Sequence, residues 1–175
     1  MRHDRYYIEI AHTVATRSPC FSRKVGAVVV VDYNVVSTGF NGPPRGVPHC
    51  EYRDIDGQFC YNGDVNKPHL FLQDLSHLFQ QDLSCPRHRA GYQSGKGLHI
   101  CLAVHGERNA VIGKNVKGGI LYCNCSIPCI DCMKEIINAG IKRIVCLSMD
   151  EYNSTLPVLS GELAKLAGVH IDVIE

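Results

Sequence analysis

The chain has 175 residues and a mass of 19.4 kDa, enough for one domain that buries roughly 70% of its unfolded surface and so needs no staples to hold a core. Hydrophobic residues make up 45% and charged residues 20%, which excludes wholesale disorder. Lys and Arg number 18 against 17 Asp and Glu, and a formal net charge of +1 argues against a protein that coats nucleic acid by bulk charge.

No apolar run approaches the ~20 residues that cross a bilayer, and Met1-Arg2-His3-Asp4-Arg5-Tyr6-Tyr7 leads into an amphipathic stretch rather than an apolar signal core. The expectation is a soluble, cytoplasmic protein with neither membrane nor nucleic acid as a partner. Ile8, Ile10, Ala11, Val14 and Ala15 recur near helical spacing and predict an opening helix over 4–17, ended by Ser18-Pro19. Val25 to Val31 is apolar and β-branched throughout, which predicts a strand buried on both faces. Asp32-Tyr33-Asn34 turns the chain, and Val35 to Phe40 returns as the second strand of a hairpin. Asn41-Gly42-Pro43-Pro44-Arg45-Gly46 is a loop.

Residues 51–84 read as an insert too small to own a core, with a helix expected over 70–81, and Asp82 to Gly97 is polar and glycine-loosened. Beyond residue 104 the pattern predicts helices over 106–114, 129–139 and 153–167 and strands over 119–124, 142–147 and 169–174. Gly140 and Gly168 stand where helix C-caps belong. Helix–strand alternation implies parallel pairing in this half, while the opening hairpin is antiparallel. The expected fold is a single α/β domain, a three-layer α/β/α sandwich on a five-stranded mixed sheet.

Ten cysteines in a chain of this size, without a signal core, point to metal before disulfides. The decisive segments are His105-Gly106-Glu107 and Pro128-Cys129-Ile130-Asp131-Cys132. Cys129 and Cys132, three apart at a helix start, share a face and meet the positive end of the helix dipole, which favours thiolates. With His105 they make three ligands and leave the fourth position of a tetrahedral Zn²⁺ for water, the arrangement of a catalytic site. Glu107 lies off the ligand stripe and is placed to carry a proton. Together the two segments form the H-x-E…P-C-x-x-C pattern of zinc deaminases acting on nucleobases. Cys123 and Cys125 alternate on a strand and are expected in a packed layer, and Cys146 is expected in the core.

Val25-Gly26-Ala27-Val28-Val29, Gly39-Phe40-Asn41-Gly42-Pro43-Pro44-Arg45-Gly46, His105-Gly106-Glu107-Arg108-Asn109-Ala110-Val111, Pro128-Cys129-Ile130-Asp131-Cys132 and Ile137-Asn138-Ala139-Gly140-Ile141-Lys142-Arg143 stand in one order. In that order the chain resembles the deoxycytidylate (dCMP) deaminases of the cytidine deaminase-like superfamily, bacterial and phage members included. The zinc segments are shared across the superfamily; the Gly39 to Gly46 loop is the part that turns the substrate toward dCMP.

The resemblance implies that Glu107 shuttles protons while a zinc-activated water attacks C4 of cytosine, giving dUMP and ammonia and so feeding dTTP synthesis. It implies a homohexamer activated by dCTP and inhibited by dTTP, with Mg²⁺ on the bound nucleotide. Asn41 matches a sugar-binding position, and Gly39, Phe40, Asn41 and Gly42 match the regulatory nucleotide site. The phosphate calls for a cation or a nest of amides, for which Lys24, Arg23 and the Ser126-Ile127-Pro128 turn are candidates. A second, structural Zn²⁺ is expected on Cys20, Cys50, Cys85 and Cys101, with His49, His88 or His99 able to replace a cysteine.

Two departures from the family pattern stand out. Gly106 replaces the usual Ala, at a helix-propensity cost of up to about 1 kcal/mol that activity should survive. Cys123-Asn124-Cys125-Ser126 replaces the commoner aromatic- and Thr-containing approach to Pro-Cys. The alternatives are another superfamily substrate, such as cytidine, guanine, a riboflavin precursor or a tRNA adenosine, or a non-catalytic zinc module.

Overall fold

A computed structural model describes residues 2–47, 49–50, 85–93, 96–149 and 158–174. The expected insert at 51–84, its helix over 70–81 and the first residues of the 153–167 helix lie outside that set.

Helix α1, Arg2–Ala15, turns Tyr7, Ile8, Ala11 and Ala15 to one buried stripe. Strands β1, Gly26–Val31, and β2, Asn34–Phe40, pair as an antiparallel hairpin. Asp32 and Tyr33 close it with φ of 47° and 64°, the double left-handed conformation whose twist matches the flanking strands. A register shift between Val29 and Val30 leaves Val36 without an opposite number and turns Ser37 inward. The buried Ser37 hydroxyl donates to Ala110 O at 2.6 Å.

The polar stretch after residue 84 contains a four-residue helix, α2, Pro86–Arg89, and a short 3-10 turn, Leu98–Ile100, neither of them expected. Then follow α3, Gly106–Val111, β3, Ile120–Cys123, α4, Ile130–Asn138, β4, Arg143–Cys146, α5, Val158–Leu166, and β5, His170–Val173. Helix α3 stops short of the expected residue 114 because Ile112 is extended and Gly113, at φ 65°, starts a turn. Helices α4 and α5 end as expected. Gly140 N–H donates to Ile137 O and Ile141 N–H to Ile136 O; the same crossed pair recurs at Gly168 and Val169.

The strand order is β2-β1-β3-β4-β5, antiparallel through β1 and parallel from β3 onward. This is the expected five-stranded mixed sheet. Two parallel crossovers stepping in one direction must place their helices on one face. Ala27, Val29, Leu121, Cys123, Ile144 and Cys146 accordingly form one core with residues of α3, α4 and α5. Alternate residues Val28, Val30, Tyr122 and Val145 point the other way and pack under α1. The β1 strand is buried on both sides, as its continuous apolar sequence predicts. None of the helices among the described residues is long and apolar enough to cross a membrane.

Candidate active site

Two helix starts on the same face of the sheet carry the expected donors. His105 is the N-cap of α3 and Cys129 the N-cap of α4, and neither side chain caps its own helix. They turn toward each other. His105 Nδ1 lies 3.4 Å from Cys129 Sγ and 3.3 Å from Cys132 Sγ. A tetrahedral Zn²⁺ with Zn–S of about 2.3 Å and Zn–N of about 2.0–2.1 Å sets an N···S edge of about 3.6 Å. The donor set fits zinc in chemistry and spacing. Among the described residues these three form the one group of His, Cys or carboxylate donors within 4.8 Å of one another.

The site is held from several directions. A side chain at Gly39 would put its Cβ 2.3 Å from both Ala110 N and Gly106 O, so α3 rests directly on the backbone of β2. Gly42 and Val104 exchange backbone hydrogen bonds of 3.1 and 2.8 Å immediately before His105, and Asn109 Nδ2 donates to Phe40 O at 2.8 Å. On the other side, Ser160 Oγ on α5 donates to Pro128 O at 2.6 Å. Three residues beyond each of His105 and Cys132, Arg108 and Glu135 form a two-pronged ion pair. Arg108 Nε donates to Glu135 Oε2 at 2.9 Å and a terminal N–H to Oε1. Sequence spacing gave no sign of this tie between α3 and α4, because each partner looks like an ordinary helix-surface charge.

Electrostatics prepare the donors. The hydrogen bond from Cys132, reinforced by one from His105, lowers the Cys129 thiol to about 4 against the opposing effect of burial. Cys132, which donates to Cys129, is pushed up by that bond and by burial. The same contact with Cys129 raises His105. Glu107 is only 5% exposed, and burial pushes its carboxyl up. It feels the charges of His105 and Cys129 and is not itself grouped with the donors. Cys125 Sγ donates to Glu107 Oε1 at 3.6 Å, a contact between two buried side chains that the expected packed layer did not include. Its only foreshadowing was the departure of this stretch from the commoner Thr-containing form.

The remaining expected residues fall differently. Asn41 is buried, and its Oδ1 accepts from Val25 N at 2.7 Å and Ser18 Oγ at 2.7 Å while Nδ2 donates to Arg23 O at 2.8 Å. Its side chain organises the 18–25 loop, with one N–H of the amide left over for any other partner. Lys24 is exposed, and Ser126 bridges in parallel to Ser148 at the mouth of α4. Of the regulatory segment, Gly39, Asn41 and Gly42 are buried against α3 and the 18–25 loop, and Phe40 is exposed. Cys20, Cys50, Cys85 and Cys101 are not gathered: no three of their sulfurs lie within 4.8 Å of one another. The Cys20 and Cys85 segments are neighbours nonetheless, since Ser22 Oγ is 3.3 Å from His88 Nε2 and 3.4 Å from an Arg87 guanidinium nitrogen.

Gly106 has a tertiary role that helix propensity does not express. A Cβ there would sit 2.9 Å from Val25 O, so an Ala at this position forces the helix away from the backbone just before β1.

A His-Cys-Cys donor set at two helix N-termini, beside a buried glutamate outside the set, fits a metal site with an acid next to it. Residues 1–148 match the family model for the cytidine and deoxycytidylate deaminase zinc-binding region. The chain is 32% identical to the deoxycytidylate deaminase of Enterobacteria phage T2 over 82% of its length and 79% of that protein. It is 32% identical to that of Schizosaccharomyces pombe, covering 90% of this chain and 42% of the relative, so it spans about two fifths of that protein's length. The dCMP deaminase of cyanophage S-TIM5, solved with dCMP and dUMP, shares the fold with a TM-score of 0.62 at 21% identity, over 99% of this chain and 97% of that one. The chain belongs to the cytidine and deoxycytidylate deaminase family.

Proposed function

We propose that the protein hydrolyses dCMP to dUMP and ammonia. The observation that carries this reading is the donor triangle His105, Cys129 and Cys132 beside the buried Glu107, in a family whose named relatives include phage and fungal deoxycytidylate deaminases. His105, Cys129 and Cys132 would hold a Zn²⁺ here, and the ion would supply Lewis-acid activation of a water near neutral pH. Glu107 accepts a proton from the attacking water at its carboxylate and passes it to N3 of cytosine as C4 becomes tetrahedral. It then takes the proton of the new C4 hydroxyl and delivers it to the C4 amine, which leaves as ammonia as the C4 carbonyl forms, so dCMP and water become dUMP and ammonia. Burial serves this role, because it raises the carboxyl above its ordinary value and so makes it a stronger base for the proton it takes.

An ammonia-release screen across dCMP, deoxycytidine, cytosine and guanine tests the substrate. Turnover on dCMP above the others supports the reading; turnover on a different base, or on none with zinc bound, overturns it.

The finer parts of the proposal are a cytoplasmic homohexamer that feeds dTTP synthesis, activation by dCTP and inhibition by dTTP with Mg²⁺ on the nucleotide, and phosphate binding by Lys24 and Ser126. The sugar goes to the remaining N–H of Asn41, the regulatory nucleotide to Gly39–Gly42. The proposal also includes a structural Zn²⁺ on Cys20, Cys50, Cys85 and Cys101, supported by the proximity of the Cys20 and Cys85 segments. Zinc content per chain separates one site from two. A rate on dCMP indifferent to both dCTP and dTTP removes the regulatory part.

A further inference from the structure

Three buried cysteines on β3, β4 and their continuations, Cys123, Cys125 and Cys146, take no part in the donor triangle, and they spend their thiol protons differently. Cys123 Sγ donates to Val145 O at 3.6 Å and Cys146 Sγ to Ser148 O at 3.4 Å, both backbone carbonyls of the sheet and its continuation. Cys125 alone of the three donates to a side-chain carboxylate, at Glu107 Oε1. A thiol has one proton, and a carboxyl oxygen is a stronger acceptor than a thiol sulfur, so the Glu107 oxygen takes precedence over the neighbouring sulfur of Cys123.

The two partners come from different elements, and each is fixed. Leu147 N–H donates to Cys125 O at 2.9 Å, extending the β3–β4 pairing past Cys123 and holding the Cys125 backbone on the sheet. Glu107 stands in the first turn of α3, clamped by Gly39 and the Gly42–Val104 bridge. A carboxylate on a short helix has rotamers that swing it away from a base; a donor on the sheet selects among them.

We propose that Cys125 is a positioning residue, whose thiol holds the Glu107 carboxylate in the orientation from which it exchanges protons with the substrate. This rests on the deaminase reading above. The Cys125 sulfur touches no reacting atom and acts through Glu107. Its loss leaves the carboxylate in place chemically but spreads it over several orientations, which lowers kcat and leaves substrate binding alone.

The test compares Cys125→Ala and Cys125→Ser in the zinc-loaded enzyme. Ala and Ser differ by one hydroxyl, so packing changes are nearly shared and the donor is isolated. Cys125→Ala is expected to lower kcat for dCMP about tenfold, the weight of one hydrogen bond to a charged group, with KM within twofold and zinc content unchanged. Cys125→Ser is expected to recover a several-fold share of that loss. Equal kcat in the two variants makes the residue a packing group and overturns the proposal, as does a kcat for Cys125→Ala within twofold of wild type. An infrared readout needs no turnover: Glu107→Gln should shift the Cys125 S–H stretching band, identified by its absence in Cys125→Ala, to higher frequency. An unmoved band also overturns the proposal. A wild-type enzyme inert on dCMP that still shows the shift would reject the substrate and leave the Cys125–Glu107 contact standing.

Discussion

Among the described residues the two faces of the sheet each bury one carboxylate, and they treat it in opposite ways. Under α1, Asp4 is 6% exposed and accepts from Arg143 NH1 at 2.8 Å, Arg143 NH2 at 3.2 Å and Tyr122 OH at 3.0 Å. The hydrogen bonds from Arg143, helped by Tyr122 and opposed by burial, hold its carboxyl at about 2. Arg143 also donates to Asp172 at 2.5 Å, so one guanidinium ties α1, β4 and β5 together. On the other face Glu107 is buried to the same degree with a thiol where Asp4 has an arginine, and its carboxyl rises. Burial alone does not distinguish a structural acid from a working one. The partner does: a cation locks the charge on, and a weak neutral donor leaves the proton free to move.

That contrast can be broken at either end. The largest effect belongs to Glu107→Gln, which keeps shape and removes the proposed proton carrier. Turnover should fall by about 10²–10⁴ with zinc content retained, measured as steady-state ammonia release against metal content. An unchanged rate would make Glu107 another buried structural acid.

Asp4→Asn should do the reverse, costing about 2 kcal/mol of stability at pH 7 in urea unfolding while kcat stays at the wild-type value, because it removes, far from the chemistry, the buried charge partner of Arg143, which keeps Asp172. The same pair gives a pH signature. With a folded value of about 2 against an ordinary 3.8, the unfolded chain binds the proton more readily, so the stabilisation is complete above about pH 5 and is lost as pH falls from there toward 2. The wild type should lose about 2 kcal/mol over that window through Asp4, and Asp4→Asn should lack this part of the slope.

Glu107 has the opposite sign. Its raised carboxyl makes the folded, metal-free protein hold a proton more tightly than the unfolded chain, so stability declines as pH rises above the ordinary glutamate range. Metal-free Glu107→Gln should therefore be more stable than metal-free wild type at pH 7, as differential scanning calorimetry would show.

Gly106→Ala probes the smallest difference. Helix propensity favours Ala by up to about 1 kcal/mol, but the 2.9 Å approach to Val25 O is a backbone clash of the kind that costs about 1–3 kcal/mol. A net loss of about 1 kcal/mol in chemical denaturation is expected, and a gain would show that α3 can lift from Val25 without cost.

Much of this protein could be read from its sequence because local patterns carry it. The β-branched run of β1, the glycine stops after α4 and α5 and the helix–strand alternation are short-range features, and they led to the observed sheet. The donors were legible for the same reason: His105 with Glu107, and Cys129 with Cys132, are close in sequence and stand at helix starts. The four-residue α2 escaped because it has too few residues to show a period, and the early end of α3 because one extended residue, Ile112, interrupts an otherwise helical sequence. Asn41 was matched to a sugar, and its side chain is bound mainly within the 18–25 loop, which no spacing could foretell.

By itself the amino-acid sequence determined the order of the elements, the two half-sites for a metal ion and the acid between them, since each depends on residues a few positions apart. Only the tertiary structure decided what each buried charge meets. Asp4 finds Arg143 across 139 residues, Arg108 finds Glu135 across 27, and Glu107 finds Cys125 across 18. Such pairs form where separate elements are pressed onto one sheet, and there the free energy of a proton is set by whichever group the packing brings alongside.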